Sequence, residues 1–220
     1  MNRAIVTLII GEEGKMLSQY SLPRLNDYAK KVNARMIVIR QRLPNFDFIP
    51  MAKFYMQRHL QNYSEGLFFV DADTLINRNT PDIFEMMPKT GVSVVMDSVD
   101  EKYDKPRWRK YVRAAAALTE TTEWESYFNS GVMLIRKDCD KLFMNPEYRN
   151  IMPWFPEQTI LNLNCHRFNI PIHFLDKKWN LNTLNGGNEN SWQNCYIAHF
   201  SGLDLNSRLY LMNTLNQILP

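Results

Sequence analysis

The sequence is short of the features that mark specialised chains. Eight glycines and eleven prolines among 220 residues are too few for a collagen-like or low-complexity polymer. Three cysteines, Cys139, Cys165 and Cys195, form an odd and scattered set, which suits a reducing compartment better than a disulfide framework. Neither sign of charge dominates: 26 Lys+Arg against 23 Asp+Glu leave +3, without the basic stripe expected of a nucleic-acid binder. No apolar run is long enough to span a bilayer. The first one, residues 4–10 (AIVTLII), stops at Gly11-Glu12-Glu13-Gly14, and no small-residue cleavage site follows. The expectation is a soluble, cytoplasmic protein that neither inserts into a membrane nor binds nucleic acid.

What remains is ordinary globular composition, 45% hydrophobic and 22% charged, at a length that suits one domain, residues 1–220. That domain could equally be the N-terminal part of a longer chain. Residues 4–10 read as a strand buried on both faces, with 11–14 as its turn. Leu17, Leu25, Tyr28 and Val32 recur at helical spacing, with Pro23 starting or interrupting that helix. Residues 35–40, 67–70, 91–96 and 132–135 read as further strands, and 51–63 as a helix. Later helices are expected at 157–166 and 206–218, and short strands near 170–175 and 195–200. Strands alternating with helices imply an α/β fold with a largely parallel, doubly covered sheet. Segment 97–125 is the least core-like. Its cluster of Lys102, Lys105, Arg107, Arg109, Lys110 and Arg113 reads as a solvated amphipathic helix or as a substrate-covering segment.

The sharpest local signal is FFVDADTL at 68–75, with Asp71 and Asp73 directly after a buried apolar strand. Ligands of open α/β sheets sit at the carboxyl ends of strands. Two carboxylates there can hold a divalent ion and leave positions for a phosphate-bearing ligand, although a turn with solvated acids has the same spelling. One enzymatic reading is an aspartyl-phosphate phosphatase of the haloacid dehalogenase type. That pattern usually sits on the first strand and is followed by a later pair of adjacent acids, neither of which holds here.

The other reading draws on blocks further along the chain. Phe128-Asn129-Ser130-Gly131-Val132, then Glu157-Gln158 followed by TILN, then Ile197-Ala198-His199-Phe200-Ser201-Gly202 resemble, in order, the blocks of GT-A glycosyltransferases of the glycogenin and galactosyltransferase type. The opening AIVTL at 4–8 is similar to their first nucleotide-binding strand. The resemblance runs from residue 4 to about 202. It implies a GT-A, Rossmann-like three-layer α/β/α fold with a mostly parallel mixed sheet. It also implies a metal-dependent enzyme that moves a hexose from a UDP-sugar to a hydroxyl of a glycan or glycoprotein, with retention of configuration.

Site residues follow from the same resemblance. Asp71, Asp73 and His199 would bind Mn²⁺ or Mg²⁺, the imidazole favouring manganese; alone, such a histidine reads as a hydrogen-bonded structural residue. Thr7, Leu8, Lys53, Asp71, Ala72, Gly202 and Arg208 would meet the nucleotide. Asp97, Asn129, Ser130, Gly131 and Gln158 would meet the donor sugar, and Glu157 and Gln158 would stand at the reacting carbon. Lysine at 53 also reads as a surface residue, Glu157 as a helix-dipole partner, and 129–131 as a turn. Glu157 replaces the family's more usual Asp. Leu205 stands where similar proteins carry a phosphate-contacting Lys, with Arg208 the nearest substitute. Trp179-Asn180-Leu181-Asn182 suggests an acceptor-side loop. The chain is also similar to the short glycosyltransferase domains that large DNA viruses of algae use on capsid glycans, which would place it in a host cytoplasm. The missing Lys also leaves room for a sugar-nucleotide or glycan-binding module without turnover.

Overall fold

The computed structural model describes residues 1–97, 108–150, 152, 155–183 and 186–219. Strand β1 (Arg3–Leu8) leads into helix α1 (Gly11–Lys31), which returns the chain to β2 (Arg35–Ile39). A 3-10 run (Ile49–Met56) continues into α2 (Gln57–Leu60) and β3 (Gly66–Val70). Then come β4 (Thr74–Ile76), α3 (Ile83–Met86), β5 (Val92–Met96), α4 (Arg109–Thr119) and β6 (Phe128–Ile135). The remainder comprises α5 (Pro156–Arg167), β7 (Ile172–Phe174), β8 (Leu181–Asn182), α6 (Glu189–Trp192), β9 (Ile197–His199) and α7 (Leu205–Ile218).

The main sheet has the order β2-β1-β3-β6-β5-β7, and only β6 runs against the other five strands. Its strands are apolar on both faces because both faces are covered. Ile5, Phe68 and Leu134 pack with Leu25, Tyr28 and Ala29 of α1 on one side. Their chain neighbours Val6, Phe69 and Met133 pack on the other side with Met51 and Met56 of the 3-10 run and Ile160 of α5. The result is the three-layer α/β/α arrangement with a mostly parallel mixed sheet.

Several local expectations need correction. Residues 11–14 are the first turn of α1, not a separate turn: Gly11 takes φ 72 and Glu12 and Glu13 occupy the positive end of the helix dipole. Pro23 lies inside α1 without ending it. Residues 51–63 do not form one helix; every residue from Met51 to Met56 is buried, so no amphipathic stripe selects the α period there. The short strands β4, β8 and β9 form a second sheet, ordered β4-β9-β8, that was not foreseen as a unit. It packs with Met212 and Leu215 of α7 around Trp192 and Phe200. Of the basic cluster, Lys102, Lys105 and Arg107 lie outside the described residues. Arg109, Lys110 and Arg113 sit on α4, whose opposite face buries Tyr111, Val112, Ala115 and Ala116, as an amphipathic helix requires.

Candidate functional site

The site forms where the two sheets meet. As the chain leaves β3, the Asp71 N–H donates to the carbonyl of Gly131 on β6 (2.8 Å), and Thr74 Oγ1 donates back to the Asp71 carbonyl (2.8 Å). The chain then enters β4, whose Thr74 stands opposite His199 on β9, and the Phe200 N–H donates to the Asp73 carbonyl (3.0 Å). Backbone pairing therefore brings the acids and the imidazole together although more than a hundred residues separate them. Asp71, Asp73 and His199 each turn one ligand atom into a cluster no more than 4.8 Å across. Gly131 floors it. A Cβ at that position would lie 2.3 Å from His199 Cε1 and 3.0 Å from Asp71 Oδ2, so no side chain fits without displacing the cluster.

A network of buried charge surrounds these groups. Lys53, 2% exposed, directs Nζ to Asp71 Oδ2 (3.3 Å), to the Ser130 carbonyl (3.1 Å) and to Ser130 Oγ (3.0 Å). An ammonium has three donors, and all are used inside the protein. Glu157 Oε1 lies 3.7 Å from the same ammonium, while its Oε2 is buried with no partner. Burial pushes the Asp71 carboxyl up to about 6, against the pull of Lys53. Burial acts the same way on Asp73, but the charge and hydrogen bond of His199, 3.3 Å away, together with Arg208, outweigh it and hold Asp73 low. Burial lowers His199, yet the charge and hydrogen bond of Asp73 raise it overall. Two neighbouring acids are thus pushed in opposite directions by their surroundings.

Two cavities share Asp71 and Asp73 as a common wall. The first, about 230 Å³, holds Lys53, Asp97, Asn129, Ser130, Gly131, Glu157, Gln158, His199 and Gly202. Within it the Ser130 N–H donates to Gln158 Oε1 (2.9 Å) and Gln158 Nε2 donates to Asp97 Oδ2 (3.0 Å), so β5, β6 and α5 are tied through polar side chains. Asn129 to Gly131 belong to β6 itself rather than to a turn before it. The second cavity, about 470 Å³, is lined by Leu8, Ile10, Leu17, Phe48, Ile49 and Pro50, with Ala72, Glu13 and Arg208. Arg208 reaches Glu13 (2.6 Å) and Asp73 (3.4 Å).

Of the residues singled out from sequence, Thr7 lines neither cavity; it is 1% exposed, with its hydroxyl unpartnered. Leu8, Ala72 and Arg208 fall on the apolar side, while Lys53 and Gly202 fall on the polar side. Sequence reasoning missed the aromatic wall of the polar cavity, Trp108, Tyr111 and Phe155, as well as Phe48 and Pro50 opposite. Phe155, directly before Pro156 and the Glu157-Gln158 pair, was the detectable one. It is 55% exposed and holds φ 40, a left-handed conformation unusual for an aromatic residue.

Several solved structures with this architecture are glycosyltransferases. One is a glycosyltransferase involved in the glycosylation of the major capsid of PBCV-1; it is 14% identical, covers 96% of this chain and 99% of its own, and superposes with a TM-score of 0.58. Mouse xyloside xylosyltransferase 1 is 12% identical over 92% of this chain and 98% of its own, with a TM-score of 0.54. The glycosyltransferase GlyE of Streptococcus pneumoniae is 11% identical over all of this chain and 62% of its own, with a TM-score of 0.58. The chain has the GT-A fold. At these identities the likeness is one of architecture. No protein-family model and no curated protein sequence matches the chain.

Proposed function

We propose that this GT-A chain is a metal-dependent glycosyltransferase that moves a hexose from a UDP-sugar to a hydroxyl of a glycan or glycoprotein, with retention of configuration. The observation that carries the reading is the Asp71–Asp73–His199 cluster at the junction of an apolar and a polar cavity. A nucleoside diphosphate sugar has the same division: a flat base at one end, a polyhydroxy ring at the other, and two phosphates between.

The residues fit a divalent cation. Their carboxylate oxygens and one imidazole nitrogen converge over Gly131, where a Cβ would intrude, and a mixed O/N donor set suits Mn²⁺ better than Mg²⁺. A bound cation there supplies charge stabilisation, worth several kcal/mol, to the departing diphosphate. Asp71 and Asp73 would hold it by carboxylate oxygens and His199 by Nε2. Arg208 would offer its guanidinium to the phosphates in place of the missing lysine, exchanging its Glu13 contact for theirs. Leu8, Phe48 and Pro50 would cover the base. Asp97, Asn129, Ser130 and Gln158 would orient the sugar hydroxyls, and the unpartnered Glu157 Oε2 would accept a hydrogen bond near the reacting carbon. Lys53, with its donors spent, would act beneath the site by balancing Asp71 and Glu157.

Thermal unfolding tests the reading. A ligand that binds only the native state stabilises it by mass action. UDP should raise the unfolding temperature when Mn²⁺ is present and do so far less after chelation; equal shifts under both conditions would rule out metal-assisted diphosphate binding. Metal-dependent release of the sugar from a UDP-hexose would distinguish an enzyme from a binding module.

A further inference from the structure

The hydrogen-bond chain behind His199 can be read without ambiguity because one end is a backbone amide. The Gly131 N–H donates to one end of the Asn129 side-chain amide (2.9 Å), so that end is the oxygen, Oδ1. Asn180 approaches the same oxygen at 2.9 Å and must present its Nδ2. Its other end is therefore Oδ1, and this lies 2.7 Å from His199 Nδ1. An amide oxygen only accepts, so Nδ1 carries the hydrogen. With Nδ1–H fixed in this way, the hydrogen bond from Nε2 to Asp73 belongs to the protonated ring, and the proton that a cation displaces is the one on Nε2, where the lone pair is then free.

We propose that Asn180, oriented by Asn129, is the positioning residue that fixes His199 in its Nδ1–H tautomer and so presents Nε2 to a divalent cation. This rests on the reading of His199 as a metal ligand. The second sheet exists in the right place to do it. β8 pairs in parallel with β9, setting Asn182 opposite His199, and Asn180 enters that strand directly after the 3-10 turn Lys177–Trp179. Asn180 is fully buried and His199 nearly so, so neither can turn to water for a substitute partner. Asn129 reaches the chain from β6, two residues before Gly131, whose N–H it accepts and whose carbonyl accepts from the Asp71 N–H, and thereby links His199 to the sheet that carries Asp71. Metal-bound histidines typically hold their second N–H in such a bond, and losing the partner typically costs 10- to 100-fold in affinity.

The experiment has two arms. In the first, ¹⁵N-histidine NMR of the metal-free wild-type protein, at a pH that keeps the ring neutral, reads the tautomer directly. Nδ1–H is expected for His199, and Nε2–H would overturn the proposal whatever the metal does. In the second, Mn²⁺ affinity is measured by calorimetry in the presence of UDP for the wild type and for Asn180→Ala, Asn129→Ala, the double variant and His199→Ala. Asn180→Ala should weaken Mn²⁺ about 10- to 100-fold and Asn129→Ala less. The double variant should bind no worse than Asn180→Ala alone, because Asn129 acts through Asn180. Wild-type affinity in folded Asn180→Ala, or fully additive losses, would overturn the relay. Wild-type affinity in His199→Ala would instead remove the metal-ligand reading, with the tautomer still reported by the first arm.

Discussion

The two cavities that meet at Asp71 and Asp73 are built from different material. On the α1 side the wall is mainly aliphatic and aromatic, with Glu13 and Asp47 at its edge, and the cation among its described residues, Arg208, is held by two ion pairs. On the α5 side an aromatic wall of Trp108, Tyr111 and Phe155 faces a polar lattice whose members are almost entirely buried: Lys53, Ser130, Glu157 and Gln158 are bonded to one another and to Asp71. An apolar wall left open to a cavity forgoes hydrophobic burial in proportion to its area, without leaving any polar group unsatisfied. A buried polar lattice costs desolvation and is stable only when its bonds are satisfied, so its groups are fixed before any ligand arrives. Under the proposed function, the difference means that one half of the site would adapt to a flat ring, whereas the other would be preorganised to read hydroxyl positions.

Variants can break that comparison. The largest effect should come from the shared wall: Asp73→Asn is expected to lower metal-dependent donor turnover by at least about 100-fold, and near-normal activity with added Mn²⁺ would dissociate the acids from the chemistry. Gly131→Ala should rank next. Its Cβ would press on the His199 ring, so a loss of about 1–3 kcal/mol in unfolding free energy is expected together with weaker Mn²⁺ binding. Arg208→Ala sharpens the division between halves. UDP should bind about 10-fold more weakly, close to 1.4 kcal/mol, while the polar lattice keeps its geometry. Equilibrium binding of UDP checks the first point, and an unchanged sugar preference checks the second.

The smallest effect concerns the cost of preorganisation. Asp71 titrates near 6 in the fold, above its ordinary 3.8, so its charged form is disfavoured there. Below the ordinary value both folded and unfolded states are protonated and nothing is lost. As pH rises through about 6 the whole penalty falls on the folded state. Metal-free Asp71→Asn should therefore match the wild type in stability near pH 4 and exceed it by about 1 kcal/mol above pH 6, less than the full shift implies because the side chain is a quarter exposed and its charge also meets Lys53, even though its Mn²⁺ binding is impaired. Denaturant unfolding across that range checks the sign, and a gap that closes with rising pH would contradict it.

Much of this could be read along the chain because it is local. The alternation of apolar runs with helical spacing specified an α/β sheet covered on both faces, and the spelling FFVDAD put two carboxylates at a strand end. The N-S-G, E-Q and H-F-S-G blocks marked residues that line the polar cavity, all but Phe200, which packs in the core of the second sheet. What could not be read was of another kind. Lys53 reads from sequence as a nucleotide contact or as a surface lysine, and nothing near it announces Ser130, 77 residues away, as its buried partner. The 3-10 run at 49–56 carries no amphipathic period because it is buried all round.

The amino-acid order by itself determined which chemistry was present: acids at the end of an apolar strand, an imidazole after another, and strands that bury both faces. Only the tertiary structure decided how these groups address one another. Whether Lys53 meets solvent or Asp71, and which nitrogen of His199 bears its hydrogen, depends on the register of β4, β8 and β9 and on packing between segments distant in the chain. Hydrogen bonds across such distances are set by where whole elements come to rest, and no local periodicity encodes that.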